Sequence, residues 1–242
     1  TRNENFAVIY FNNINKATVR NSTLNGGSHG IYANTYSSPN YVFTGLKFNN
    51  YNAYGIYQNV SSGGGIAQSK DIKDNKIQST YSVAVENNEF MGNTQPGLGG
   101  LWLQNYARVA NNTFVNFSST TAGNAVIMLN APGYTGSVIE NNSISNASGV
   151  SGIVVNSGST KVNKNSISLT TGNVTVAGLS IGGSNNSASY NKVTISGNNT
   201  SSGVLVQNAD GGVIANNLIN ATGPIAINAI NNTNAGFYYN TF

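Results

Sequence analysis

Charge is what this chain has least of. Only 7% of its 242 residues are Asp, Glu, Lys or Arg, against about a quarter in an average globular protein. The eleven Lys and Arg are scattered, with no basic run and no aromatic–basic interleaving, so a nucleic-acid partner is not expected. There is no cysteine, which excludes disulfides and thiolate metal sites. His29 is the single histidine and there are only seven acidic residues. That leaves little for acid–base chemistry or for a calcium site, which gathers several carboxylates, and no metal or cofactor is expected. No apolar stretch approaches the roughly 18 residues of a membrane-spanning helix, no signal-peptide pattern opens the chain, and no segment sustains a helical period. Membrane insertion is therefore not expected.

What the chain has instead is asparagine, 44 residues of it, and a phrase that recurs. The phrase runs apolar, any, any, Asn, any, apolar. It reads Val85-Glu86-Asn87-Asn88-Glu89-Phe90 and Val109-Ala110-Asn111-Asn112-Thr113-Phe114, and returns at 139–144, 162–167, 213–218 and 237–242. Weaker copies stand at 19–24, 43–48, 72–77 and 188–193. The closing apolar residues recur every 23–30 residues or so, a period that means stacked supersecondary units. About ten residues further on comes a second phrase: Gly30-Ile31-Tyr32-Ala33-Asn34, Gly55-Ile56-Tyr57-Gln58-Asn59, Gly100-Leu101-Trp102-Leu103-Gln104-Asn105, and later copies at 152, 178 and 203. Short alternating runs entered through Gly and left through Asn are strand chemistry with turn punctuation.

In the first phrase the apolar ends are five apart, so an unbroken strand would put them on opposite faces. Asn at the fourth place is expected to bend the chain, since Asn tolerates the left-handed region. Stacked turn on turn, these residues form a hydrogen-bonded column: Asn88, Asn112, Asn142, Asn165, Asn191, Asn216 and Asn240. The expected fold is all-β, a parallel β-helix or β-solenoid of about ten turns with an asparagine ladder. It forms a single domain over 1–242, with an irregular turn or insertion around 60–85. The chain opens at Thr1 and stops on a repeat boundary at Phe242, which reads as a segment of something longer.

These phrases resemble the repeats of the right-handed parallel β-helices of the pectate-lyase-like superfamily, as found in phage tailspikes, secreted polysaccharide lyases and epimerases, and surface adhesins. The resemblance spans nearly the whole chain. It implies the fold and leaves function to the sites.

Superfamily members that cut glycans use carboxylates, often with calcium, or a basic proton acceptor. Here Glu86 and Glu140 fall in one outward column with Ala110 between them, about 9–10 Å apart after two solenoid steps, at the upper edge of the inverting-hydrolase range. They are the sharpest catalytic candidates; the plainer reading is two solvated acids. His29, in Ser28-His29-Gly30, resembles the Gly-His-Gly segment of polygalacturonases, but their companion Asn-Thr-Asp, Asp-Asp and Arg-Ile-Lys segments are missing. A polysaccharide lyase or glycoside hydrolase is retained as an alternative.

The columns say more. Residues two after each Gly should face outward, and they read Tyr32, Tyr57, Trp102, Ile127, Val154, Ser180, Leu205, Ala226. The column on the other strand, from Thr23 through Lys47, Glu89 and Thr113 to Asn217 and Thr241, is polar. The first is apolar, and aromatic at its start. Loops could fold over it, other chains could pack on it, or Tyr32, Tyr57 and Trp102 could stack sugar rings beside Asn, Gln and Ser. The leading expectation is a non-catalytic extracellular, cell-surface or virion rod, tailspike-like or adhesin-like. It would bind glycans or cell-surface polysaccharide and assemble as a homo-oligomer, a trimer or a filament. A purely structural subunit stacking head to tail is a further alternative. Twelve Asn-x-Ser/Thr triplets fit an extracellular setting, but they exceed only slightly what this composition gives by chance.

Overall fold

The computed structural model describes residues 6–35, 40–51, 53–60, 83–92 and 99–242. They form three parallel sheets that coil around one core. Among the described residues the first sheet has nine strands, from Ala7–Asn12 to Ile225–Ile230; the second has nine, from Lys16–Arg20 to Gly236–Tyr238; the third has eight, from Thr23–Asn25 to Leu218–Thr222. One turn of the coil is, for example, Gly99–Leu103, Ala107–Ala110 and Thr113–Val115. Each strand pairs in parallel with its equivalents one turn before and one turn after. The described strands make eight full turns and part of a ninth, fewer than the ten or so expected. Most of the span expected to be irregular, 61–82, and the weak repeat copy at 72–77 lie outside the described residues. On either side, Asn40–Thr44 pairs directly with Val83–Glu86.

The core is built from the two ends of the first phrase and the middle of the second. Val85, Val109, Ile139 and Val162 point inward from the second sheet, Phe48, Phe90 and Phe114 from the third, and Ile31, Ile56 and Leu101 from the first, all essentially without solvent contact. Phe48, Phe90 and Phe114 stack in parallel with ring centroids 4.5 and 4.6 Å apart. Burying each contributes about 2–3 kcal/mol before entropy costs.

This packing explains the glycine column. A Cβ on Gly55 would lie 2.5 Å from the Phe90 ring, and one on Gly100 would lie 2.6 Å from Phe114. The glycines that open the second phrase are spacers for the core side chains that close the first, rings at Gly30, Gly55 and Gly100 and Ile or Val at Gly152, Gly178 and Gly203, rather than turn punctuation.

The bend is made one residue earlier than the phrase suggests. The left-handed residues are at its third place: Asn87, Asn111, Asn141, Lys164, Tyr190, Asn216 and Tyr239, with φ between 52° and 58°. The fourth place makes the hydrogen bonds. Asn112 is typical: its backbone N–H and its Nδ2 both donate to Asn142 Oδ1, at 3.0 and 2.9 Å, and Nδ2 also donates to the Val85 carbonyl of the preceding turn at 2.9 Å. The pattern runs from Asn88 through Asn112, Asn142, Asn165, Asn191 and Asn217 to Asn240.

Asn216 is therefore not a rung; it is the bend, and Asn217 takes the ladder position. The register pairs Ala188 with Ile214 and Ile214 with Phe237, so Ile214 and Ile219 face the core while Val213 and Leu218 are 41% and 46% exposed. Both neighbours of each inward residue are apolar or amide, so the string alone fits either frame. The same slip moves the outward place from Asn217 to Leu218, which pairs with Lys192. Among the described residues no helix is long and apolar enough to cross a membrane.

Candidate functional site

The outer face of the first sheet carries the densest chemistry. Its strands stack in register, giving the column Tyr10, Tyr32, Tyr57, Trp102, Met128, Val154, Ser180, Leu205, Asn228. Ile127 is fully buried in the core, so the outward residue of that strand is Met128. Asn228 stands where Ala226 was expected. Val126 and Ala226 replace the glycine that marks the frame elsewhere, which is why counting from glycine failed there. Tyr10 was missed because no glycine precedes it.

The aromatic end is one cluster. Ring centroids are 5.3 Å apart for Tyr10–Tyr32 and for Tyr32–Tyr57, and 6.1 Å for Tyr57–Trp102; the last two pairs are near parallel. Parallel six-membered rings this close must overlap in part, so they lean on one another rather than lie as separate tiles. His29 joins the cluster, 5.4 Å from Tyr32, 5.1 Å from Tyr57 and 6.1 Å from Tyr54. Tyr54 in turn meets Trp102 at 5.8 Å. Gly99 makes room for it, since a Cβ there would lie 2.5 Å from the Tyr54 ring.

Exposure separates the roles. Tyr32 and His29 are buried, at 8% and 3%, and act as support; Tyr10 is 46% exposed, and Tyr57 and Trp102 are half-buried. The Trp102 indole N–H is buried and has no acceptor among the described residues.

Beside the rings runs a column of amides. Asn12, Asn34 and Asn59 are in register, as are Asn130 and Asn156, whose side chains are joined by a 2.9 Å hydrogen bond. Among the described residues the face is nearly free of charge. Among its strands there is no Lys or Arg, and the one carboxylate is Asp210 at the end of Ser202–Asp210. The other two sheets hold Lys16, Arg20, Glu86, Arg108, Glu140 and Lys161, and Lys47, Glu89 and Lys192.

On the second sheet, Glu86, Ala110 and Glu140 do share a column, but the space over Ala110 is filled. Arg108 donates from Nε to Glu86 Oε1 at 2.6 Å and from Nη1 to Glu140 Oε1. Burial alone would lower the Arg108 pKa; the hydrogen bonds to Glu140 and Glu86 and their charges outweigh it and raise it above the ordinary value. Both carboxylates are thus acceptors to one cation, and the group staples three successive turns. A hydrolase pair needs one carboxyl group carrying a proton and room for water between the two; here the guanidinium occupies that place. Aligning the neighbouring outward column, Ala84, Arg108, Val138 and Lys161, would have found Arg108. His29 lies on the other sheet, among tyrosines. Among the described residues no three His, Cys, Asp or Glu side chains come together.

An open depression of about 430 Å³ lies at the start of the ladder, lined by residues including Leu46, Lys47, Asn88 and Glu89. Its Lys47–Glu89 pair, at 3.3 Å, is exposed on both sides and worth little.

In-register parallel turns, an internal asparagine ladder and a single coiled core define a parallel β-helix protein. Residues 7–167 match the family model described as the right-handed beta helix region, and the chain belongs to that family. No curated protein matches it.

Proposed function

We propose that this protein is a non-catalytic β-helical rod of an extracellular, cell or virion surface, and that it binds glycans through the outer face of its first sheet. One observation carries the reading: a contiguous cluster of Tyr10, Tyr57 and Trp102, propped by Tyr32, His29 and Tyr54, lies beside a column of Asn side chains. Apolar rings with a few convergent polar groups are the composition of a sugar site, and each amide offers two donors and an acceptor to hydroxyl groups. The engagement of Glu86 and Glu140 by Arg108 weighs against the lyase or hydrolase alternative.

The test is a broad glycan array with the wild type and a Tyr57→Ala/Trp102→Ala variant. Binding by the wild type and its loss in the variant, at unchanged melting temperature and mass, supports the reading. Silence of the wild type across the array overturns it. A second reading rests on the far half of the same column, where Met128, Val154 and Leu205 are apolar and half-buried: neighbouring copies pack there, as in a trimer. Light scattering decides it, since a strict monomer at high concentration refutes assembly.

A further inference from the structure

We infer that the ligand of the aromatic face is a neutral, extended polysaccharide lying along the solenoid axis, about one sugar to a turn; this rests on the glycan-binding reading above. The first argument is charge. The strands of this sheet supply no Lys or Arg, and Asp210 sits in the eighth of its nine strands, beyond the aromatic end. A uronate or sulfate group laid on these rings would give up water without gaining a cation, and that desolvation is costly. Sites for such groups use Arg or Lys forks, and the described cations of this chain stand on the other two sheets or the turns between them.

The second argument is period. Parallel in-register strands repeat the same pair, one ring and one amide, over successive turns: Tyr10 with Asn12 and Tyr32 with Asn34, and the register carries on through Tyr57 and Asn59. The ring-to-ring step of 5.3–6.1 Å is close to the length of one pyranose unit in an extended chain. A linear chain can therefore keep register along the column, whereas a branched or crosswise ligand meets one rung only. The third argument is the Trp102 N–H. Among the described residues it has no acceptor, and a sugar hydroxyl at that rung supplies one after a small shift of the ring.

The experiment uses the whole chain and calorimetric titration with neutral linear glucans, mannans and galactans, and with uronate and sulfated chains, each as a length series. The expected result is binding of neutral chains only, with affinity unchanged between about 0.05 and 0.5 M salt. Affinity should rise with length to about four sugars, the axial span of the four turns from Tyr10 to Trp102 with the buried Tyr32 only supporting the row, and then level off. Tyr10→Ala, at the exposed end of the row, should shorten that plateau by one sugar. Binding confined to uronate or sulfated chains, weakening with salt, overturns the inference and leaves glycan binding standing. Equal affinity for a monosaccharide and its longer chains overturns the axial placement. Silence with every chain overturns both the inference and the function it rests on.

Discussion

The ladder is open to a sharp test at its middle. The Asn142 Oδ1 accepts from the backbone N–H and the Nδ2 of Asn112, and its Nδ2 donates to the Val109 carbonyl and to Asn165 Oδ1, all at 2.9–3.0 Å and out of water. Asn142→Ala removes these four bonds and leaves the buried Asn112 N–H with no acceptor. One fully orphaned donor at about 1–3 kcal/mol, with three further groups weakened, gives a loss of about 3–5 kcal/mol. No backbone strain enters, because the left-handed residue is Asn141.

Asn142→Asp is more informative. It keeps the acceptors but turns an oxygen toward Val109 O and Asn165 Oδ1. Burial and those oxygens raise its folded pKa above the unfolded value of about 3.9. A raised folded pKa means the native state holds the proton more tightly, so the variant is tolerated below about pH 4 and loses stability as pH rises above that. The wild type, with seven acidic residues, should change little between about pH 3 and 8. Urea unfolding followed by circular dichroism across that range measures both variants. A cost below about 1 kcal/mol for Asn142→Ala, the scale of an ordinary surface change, would refute the reasoning. So would an Asn142→Asp profile as flat as the wild type's.

Burial holds the Tyr51 phenol well above its ordinary pKa, so its contribution is intact below about pH 10 and lost as pH rises through the folded value. Melting temperature should fall on that alkaline limb and Tyr51→Phe should flatten it; an unaltered limb counts against the assignment. Gly100→Ala places a Cβ against Phe114 and the Val126 carbonyl and should cost about 1–3 kcal/mol. Adding Phe114→Ile should recover part of the loss by thermal unfolding, because the next turn already carries Val126 and Ile144 at those places; further loss would contradict the spacer role. Tyr190 is left-handed at φ 58° and 63% exposed, so Tyr190→Asn should stabilise by roughly 1 kcal/mol; a lower melting temperature would refute this.

The coil, its parallel register and six of the seven rungs were legible in the string, because each is a repeated local choice. What failed had a common cause: position within a turn is set by which side of the chain faces the core, and near 213–219 both frames are apolar enough to serve. Glycine marked the frame where a core side chain crowds it, a ring at Gly30, Gly55 and Gly100 and an aliphatic chain at Gly152, Gly178 and Gly203, so the face was misread at Ile127 and Ala226, where Val126 and Ala226 occupy the glycine's place. Arg108 is not legible as a partner because the carboxylates it joins lie 22 and 32 residues away and in the neighbouring column. The surplus of Asn-x-Ser/Thr triplets also has a geometric source. In Asn111-Asn112-Thr113 and Asn141-Asn142-Ser143 the bend residue, the rung and the first outward hydroxyl of the next strand fall in that order.

The seven rungs also share one direction. Each Nδ2 up to Asn217 donates one hydrogen to the rung of the next turn and each Oδ1 accepts from the previous turn; the Leu46 backbone N–H satisfies the Asn88 oxygen at one end, and Asn240 carries the donors at the other. Seven amide dipoles aligned head to tail add along the axis, as peptide dipoles do in an α-helix. The rod is thus electrically unequal along its length, with the positive pole at Asn240. Any turn stacked beyond that rung must present an oxygen to it, so the ladder imposes a polarity that a chain of apolar contacts would not.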